Sequence, residues 1–291
     1  MIIMANTILI TGATGHIGSQ VADELIKRKV PFKIMVRSRQ NNPIWERAGV
    51  EQVKGDFSDP GSLEKALKGV DKLFSLTPFV ENLVELGINV VQAAKKAGVK
   101  YIVRSSALTA DENATTIPRW HREVEKSIEE SGISYTFLRP APFMQNYLGY
   151  ADSIKTRNAF YAPLGDGKVS YVDVRDIAVV AVAALTERGH EGQVYPLTGG
   201  EALSNYDIAL LFGKALGRTI KYVDIPESAA NDSLTKMGMP QWMVNGLAEL
   251  NKIAKAGYLA EVYPTVEKVT RRKPVLFTQF IRDNIRAFQL S

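Results

Sequence analysis

TILITGATGHIG, residues 7–18, combines an apolar run, a glycine-rich turn and the first residues of a helical pattern. The apolar run predicts a strand, and Ile17, Val21 and Leu25 recur after it at the spacing of one helix face. A strand that turns directly into a helix at three regularly spaced glycines is typical of a dinucleotide-binding site. The alternative, a bare strand-to-helix turn, explains one glycine and not three.

Each glycine of this turn has its own expected task. Gly12 lets the chain turn off the strand, Gly15 leaves room for a pyrophosphate beside the backbone, and Gly18 lets the helix pack closely on the strand. The helix would then point its free N–H groups at the phosphates. The residues expected on the pyrophosphate side are Gly12, Thr14, Gly15, His16 and Ile17.

Composition restricts the classes of protein to consider. The chain has 291 residues, of which 45% are hydrophobic, enough for a large core. It has no cysteine, which excludes disulfides and thiolate chemistry, and its three histidines are too far apart in sequence to predict a metal site. The net charge of +5 is spread along the chain, so we expect no nucleic-acid partner.

No secretion or membrane signal is evident in the sequence. The N-terminus has no basic segment followed by an apolar core. The longest apolar run, residues 177–185, is far too short to span a bilayer. We therefore expect a cytoplasmic protein with a small-molecule substrate and no membrane partner; the sequence does not predict its oligomeric state.

A basic segment follows the second predicted strand. Residues 32–36 form that strand, and Arg37-Ser38-Arg39 comes directly after it. Proteins specific for NAD commonly have an acidic residue here, which binds the ribose 2′-hydroxyl, whereas an arginine suits the 2′-phosphate of NADP. The sequence therefore favours NADP(H) as the cofactor, the alternative being an arginine cluster on an exposed loop.

The ends of later strands supply the other candidate cofactor contacts. Asp56 follows the strand at residues 50–53, where its carboxylate could accept a hydrogen bond from the adenine amine; the alternative is an aspartate that caps a helix or turn. Ligands of such sheets lie at the carboxyl ends of the strands. The further residues placed there are Phe57 at the adenine, Leu76, Thr77 and Pro78 at the ribose and nicotinamide, and Ser105 after the fifth strand.

The pattern changes at about residue 150, where predicted elements become shorter and glycine and proline more frequent. We expect an NAD(P)-binding domain over residues 1–150, completed by about 170–200. Residues 151–291 would form a smaller α/β substrate-binding lobe that is not an independent domain. A strand is expected at 193–197, and residues 266–288 would hold one amphipathic helix.

Several segments together resemble the NmrA-like branch of the atypical short-chain dehydrogenases, and within it the bacterial NADPH-dependent quinone oxidoreductase and triphenylmethane-dye reductase group. The segments cover nearly the whole chain and are residues 11–18, 36–37, 55–56, 128–133, 135–140 with Phe143 and Asn146, 165–168 and 172–178. The resemblance implies a Rossmann-type, doubly wound parallel sheet in the order 3-2-1-4-5-6. It also implies hydride transfer from NADPH to an electron-poor small molecule such as a quinone or a dye.

The resemblance suggests a catalytic residue as well. Ordinary short-chain dehydrogenases use Tyr-x-x-x-Lys, and no tyrosine of this chain has a lysine four residues later. His121 falls where related isoflavone-reductase-like enzymes carry a catalytic lysine, and the quinone-reductase group resembles this chain in having histidine there. We expect His121 to donate a proton near neutral pH; the alternative is a histidine that packs against the cofactor or Trp120.

Substrate contacts are less well defined by the sequence. By the same resemblance, Phe143 and Asn146 would border the nicotinamide and the acceptor. The additional candidates for the pocket are Phe79, Tyr147, Met237 and Trp242. Two other functions stay open at this stage: an NADP-sensing regulatory protein without catalysis, and a reductase of C=C or C=N bonds in a biosynthetic pathway.

The arginines after the second strand predict a cofactor preference. Arg37 and Arg39, with no acidic residue beside them, should make NADPH bind more tightly than NADH. A charge-assisted hydrogen bond contributes roughly 1.5–3 kcal/mol, so the expected ratio of dissociation constants is about tenfold or more. Titration of both cofactors by protein fluorescence measures it, and equal affinities would contradict the assignment.

Overall fold

The computed structural model describes residues 7–111 and 114–289. The chain divides into two compact units. Unit 1 contains the described residues of Met1–Ala114, with Pro118–Arg139 and Ile177–Tyr195. Unit 2 contains Thr115–Ile117, Pro140–Asp176 and the described residues of Pro196–Ser291.

Unit 1 is built on a seven-stranded sheet. Its strands, numbered along the chain, are β1 Ile8–Ile10, β2 Phe32–Val36, β3 Glu51–Lys54, β4 Lys72–Ser75, β5 Tyr101–Ser105, β6 Ser134–Pro140 and β9 Gln193–Leu197. They lie in the order β3-β2-β1-β4-β5-β6-β9, and the pairs from β3 to β6 are parallel. The predicted order of the first six strands is confirmed.

The seventh strand completes the sheet. The sequence predicted a strand at residues 193–197, within the segment expected to complete the NAD(P)-binding domain, and these residues form β9 beside β6. The N–H of Gly192 donates to the carbonyl of Tyr135 just before the strand begins. A strand edge has unpaired N–H and C=O groups, so β9 supplies partners that β6 would otherwise lack.

Helices surround the sheet because a parallel sheet needs apolar cover on its faces. These helices are α1 His16–Lys27, α2 Pro43–Arg47, α3 Pro60–Leu67, α4 Leu83–Ala97, α5 Thr116–Ser131 and α7 Val174–Thr186. One core cluster joins the strand residues Leu9, Leu73 and Ile102 to Val90 of α4 and Ile128 of α5. All five side chains are fully or almost fully buried.

Local signals fix several helix ends. Asp59 is the N-cap of α3 and accepts hydrogen bonds from the N–H groups of Gly61 and Ser62, with Pro60 at the first helical position. Gly98 ends α4 in the left-handed conformation, at φ 76°. Both ends agree with the sequence pattern because they depend on residues next to each other.

Unit 2 has short elements around an aromatic core. Its helices are a 3₁₀ helix at Met144–Tyr150, α6 Ala151–Arg157, α8 Asn205–Leu216, α9 Glu227–Lys236, α10 Gln241–Lys255, α11 Thr265–Thr270, α12 Phe277–Asp283 and α13 Ile285–Phe288. Its strands are β7 Ala159–Ala162, β8 Lys168–Val169, β10 Leu203–Ser204 and β11 Lys221–Asp224. Strands β8 and β10 pair antiparallel, and β7 and β11 pair parallel.

The C-terminal segment contains the amphipathic helix expected within residues 266–288. It is α12, which buries Phe277, Phe280 and Ile281, and the short helices α11 and α13 stand before and after it. Arg271 ends α11 in the left-handed conformation at φ 57°, and Pro274 follows. A proline lacks the N–H that a continuous helix needs, so the apolar pattern is divided there.

The first turn of α1 gives a stability prediction. A Cβ on Gly18 would lie 2.1 Å from the carbonyl oxygen of Gly12, so Gly18→Ala must move backbone apart. We expect the free energy of unfolding to fall by about 1–3 kcal/mol, measured by urea denaturation. Gly61→Ala in the first turn of α3 is the matched control, since its Cβ meets nothing closer than 3.4 Å. Equal stability of the two variants would contradict the packing argument.

Candidate active site

The glycine turn after β1 has an open position. Gly12 has φ 69° and, with a Cβ, would lie 2.9 Å from Leu76 Cδ2, so the turn itself requires a glycine there. At Gly15 the nearest atom to an added Cβ is the carbonyl oxygen of Gly12, at 3.4 Å. Packing within the chain therefore does not require a glycine at 15, and the exposed backbone from Thr14 to His16 is accessible to a ligand.

Helix α1 begins at this open position. Gly15 is its N-cap and makes no side-chain capping bond. The N–H groups of a first helical turn have no partner within the helix, and they carry the positive end of its dipole. Ile17 is 5% exposed, so its side chain belongs to the core and only its backbone N–H is suited to a phosphate. This arrangement fits the diphosphate of a dinucleotide.

Thr11 is a structural residue of this edge to which the sequence analysis gave no role. Its Oγ1 accepts a hydrogen bond from the N–H of Leu76 at 2.8 Å and lies 3.2 Å from the carbonyl oxygens of Phe74 and Leu76. The hydroxyl therefore fixes the end of β4 against the glycine turn. The only signal in the sequence is a threonine directly after β1.

The carboxyl ends of β4 and β5 hold buried polar groups without partners. Within the described part of the chain, Thr77 Oγ1, Ser106 Oγ and Arg104 Nε make no hydrogen bond. All three residues are at least 93% buried. Buried polar atoms are normally satisfied, so three of them at the ends of adjacent strands point to a ligand that binds there.

Other predicted residues of this edge differ in exposure. Ser105 is 2% exposed at the end of β5. Leu76 is half-buried beside Gly12, whereas Pro78 and Phe79 are exposed. The sheet places these strand ends together, because Ser75 of β4 is in register with Arg104 of β5.

The segment after β2 is held by a side chain that the sequence analysis missed. Gln52 of β3 accepts a hydrogen bond from the N–H of Gln40 and donates one to its carbonyl, both at 2.9 Å. Arg37 and Arg39 lie between β2 and this fixed point and are exposed. Two guanidinium groups are thus available to a 2′-phosphate; a lone glutamine on a strand gives no sequence signal for the supporting role.

One carboxylate oxygen of Asp56 stabilises the turn that follows it. Its Oδ1 accepts hydrogen bonds from the N–H of Ser58 at 2.9 Å and from the Ser58 hydroxyl at 2.7 Å. These bonds, with a smaller contribution from the charge of Arg37, hold the pKa of Asp56 below its ordinary value. The turn-forming alternative is therefore supported, and the predicted contact with the adenine stays a prediction.

Phe57 is largely buried. Its side chain is 8% exposed and belongs to the core cluster of unit 1. Its carbonyl oxygen accepts a hydrogen bond from the side chain of Asn89. The ring therefore serves the core, and the predicted contact of Phe57 with the adenine stays a prediction.

His121 is the predicted catalytic residue. It lies on α5, half-buried, with Nδ1 3.5 Å from the guanidinium of Arg104. Burial, and then the positive charge of Arg104, lower the pKa of His121 to about 3. This shift favours the neutral ring near pH 7, and the predicted role of His121 as a proton donor stays a prediction.

Unit 2 contains the remaining predicted residues. Phe143 precedes the 3₁₀ helix and is half-buried, and Asn146 is exposed within that helix. Met237 is 78% exposed after α9, and Trp242 is half-buried in α10. Their substrate-binding roles stay predictions.

Tyr147 has a structural role in unit 2, and its predicted role in the pocket stays a prediction. It is 3% exposed, and its hydroxyl donates to the side chain of Asn205. Its ring contacts those of Phe160, Tyr171 and Phe277 at centroid distances of 5.0–5.8 Å. Tyr147 is thus at the centre of the aromatic core of unit 2, which the apolar spacing around it did not reveal.

Residues 7–111 and 114–289 contain neither a membrane-spanning helix nor a cluster of metal ligands. No helix there has both the length and the apolar character needed to cross a membrane. No three His, Cys, Asp or Glu side chains in the same residues are grouped closely enough to hold a metal ion.

The family follows from a comparison with known proteins. The NmrA-like family model matches residues 4–275, almost the entire chain. The chain belongs to the NmrA-like family. The resemblance inferred from the sequence motifs is therefore confirmed, and with it the Rossmann-type fold.

Three similar proteins have names that describe reductases. The NAD(P)H azoreductase of Xenophilus azovorans is 43% identical over 282 residues, which cover 97% of this chain and 99% of that protein. The NADPH-dependent quinone oxidoreductase of Escherichia coli, solved with NADPH, has a TM-score of 0.86 at 31% identity and covers 96% of this chain and 99% of its own. The triphenylmethane reductase of a Citrobacter species has a TM-score of 0.86 at 27% identity, covering 96% and 99%.

The open position at Gly15 generates a binding prediction. Gly15→Val should abolish NADPH binding because the side chain would occupy the space next to the exposed backbone, while among the described residues the atom nearest to its Cβ, the carbonyl oxygen of Gly12, is 3.4 Å away. Cofactor titration and circular dichroism of the variant test both halves. If the folded Gly15→Val variant binds NADPH normally, Gly15 serves the turn alone and has no role in cofactor binding.

Proposed function

We propose that the protein is an NADPH-dependent oxidoreductase in which a hydride passes from NADPH to an electron-poor, flat small molecule such as a quinone or a dye. The proposal is supported by the set of unsatisfied buried polar groups at the ends of β4 and β5, beside the open glycine turn. It is also supported by the relatives, whose names specify an NAD(P)H azoreductase and an NADPH-dependent quinone oxidoreductase.

The residues of unit 1 have distinct binding roles in this proposal. The N–H groups at the start of α1 would hold the diphosphate, with Gly15 giving access to it. Arg37, supported by Arg39, would bind the 2′-phosphate through a charge-assisted pair. Thr77 and Ser106 would donate or accept hydrogen bonds toward the ribose and nicotinamide, which satisfies hydroxyls that are otherwise unpaired.

The proposed reaction mainly requires that the protein orient NADPH and the acceptor. A quinone that accepts a hydride becomes a stabilised hydroquinone anion, so its reduction needs no strong acid in the site. Exclusion of water and a fixed angle of approach can then supply most of the rate enhancement. The absence of a Tyr-x-x-x-Lys pair is compatible with this reaction, and a neutral His121 is as well.

Two finer points belong to the same proposal. A cytoplasmic location suits an enzyme that consumes NADPH, and the acceptor would be a small molecule rather than a nucleic acid.

The non-catalytic sensor is the competing function. It would bind NADPH through the same turn and arginines but would show no turnover.

The purified protein should oxidise NADPH only when an acceptor is present, and saturably so. The assay follows NADPH absorbance with a benzoquinone, an azo dye, a triphenylmethane dye, an enone and an imine. Gly15→Val, tested in parallel, controls for a contaminating reductase. If the protein binds NADPH tightly but turns over no acceptor, the proposed function is wrong and the sensor function is favoured. Turnover with the enone or the imine alone would indicate a C=C or C=N reductase.

A further inference from the structure

Arg104 is a buried cation that the binding roles above do not use. It lies on β5 with its side chain fully buried. One guanidinium nitrogen is 3.4 Å from the carbonyl oxygen of Ser75 on β4, and another is 3.5 Å from Nδ1 of His121 on α5. The side chain therefore connects the end of β4 to the candidate catalytic histidine within unit 1.

The charge of Arg104 is not explained by an ion pair. Glu125, a fully buried carboxylate on α5, attracts it through space. The oxygens of Glu125, however, accept hydrogen bonds from Arg139 at 3.0 and 2.5 Å and from Arg122 at 3.2 Å. In the described part of the chain, Arg104 has no carboxylate within ion-pair distance. Burial of a guanidinium without a paired carboxylate is energetically unfavourable. The two contacts that Arg104 does make therefore need a physical explanation.

The contact with His121 determines the state of the ring. A guanidinium has only N–H donors and no acceptor. It can form a hydrogen bond with Nδ1 only if Nδ1 carries no proton, so the proton of the neutral ring must be on Nε2. A doubly protonated ring would place one N–H against another and a second positive charge beside the first.

We propose that Arg104 is a positioning residue that fixes His121 as a neutral hydrogen-bond donor, with its proton on Nε2, toward the oxygen or nitrogen of the hydride acceptor. The inference rests on the proposed function, which supplies that acceptor. As the hydride and its electron pair add to a quinone, negative charge develops on the quinone oxygen, and the Nε2–H bond stabilises it. The proton that completes the hydroquinone then comes from water.

The protonation site can be observed directly by long-range ¹H–¹⁵N NMR of the full chain. The chain has three histidines, so His121→Gln suffices to assign the signals of His121. We expect a single neutral form, protonated on Nε2, throughout the range of about pH 5–8 in which an ordinary histidine titrates. A proton on Nδ1, or a titration of His121 within that range, would overturn the proposal.

Arg104→Met should let the Nδ1-protonated form appear beside the Nε2-protonated form that an isolated imidazole already favours, because the variant removes the donor to Nδ1 while keeping a long apolar chain in the cavity. Arg122→Met is the matched control, since Arg122 also contacts Glu125 but makes no hydrogen bond to His121. The control should leave the His121 signals unchanged. If both variants alter the tautomer equally, the effect belongs to the charge network and not to Arg104.

Kinetics with a quinone test the donor role separately. Glutamine carries both an acceptor and a donor and has no titratable proton, so His121→Gln should keep kcat within about tenfold of wild type. His121→Phe keeps a ring without the donor and should lower kcat by about 10- to 100-fold, with the KM for NADPH unchanged. Equal losses in the two variants would overturn the donor role.

The two proposals fail in different ways. A wild-type protein without acceptor-dependent NADPH oxidation would overturn the proposed function, and the NMR spectra would still decide whether Arg104 fixes the ring. If Arg104→Met does not fold, the wild-type spectra and the Gln and Phe variants of His121 still test the inference. In that case Arg104→Lys is used in place of Arg104→Met. Protonation on Nε2 should persist in this variant because a cationic donor is retained.

Discussion

Helix α1 starts so close to the end of β1 that no side chain fits between Gly18 and the carbonyl oxygen of Gly12. This contact brings the first helical N–H groups next to the strand end, where the glycine turn leaves Gly15 open. Parallel pairing then sets β4 beside β1, and the Thr11 hydroxyl secures Leu76 against the same turn. The site therefore depends on one close backbone approach, and the later strands add their ends to it.

Sequence reasoning succeeded where the determining residues are neighbours along the chain. Asp59 and Gly98 mark helix ends through adjacent N–H and C=O groups, and the three glycines mark the turn from strand to helix. It failed where the outcome depends on contacts between distant segments. The sequence did not reveal that Tyr147 fills the aromatic core of unit 2, or that Gln52 supports a loop twelve residues earlier in the chain.

His121 shows the same limit for chemistry. Its position on α5 can be predicted from the sequence, but its protonation state cannot, because its burial and the charge beside it depend on segments that are distant in the chain. Arg104 is 17 residues away in sequence and reaches Nδ1 from β5. A histidine next to a carboxylate would have gained affinity for a proton, whereas one next to a buried guanidinium loses it. Burial of the ring, and after it the charge of this neighbour, thus favour a neutral donor over an acid.

The unsatisfied groups at the strand ends also connect binding to stability. Each buried polar atom without a partner costs roughly 1–3 kcal/mol, and Thr77, Ser106 and Arg104 all carry one. A ligand that supplies their partners binds the folded chain and not the unfolded one, so it stabilises the fold by about 2.7 kcal/mol at a hundredfold excess over its dissociation constant. The same buried polar groups thus have two effects. They lower the stability of the fold when no ligand is bound, and they make this edge selective for a ligand with matching donors and acceptors.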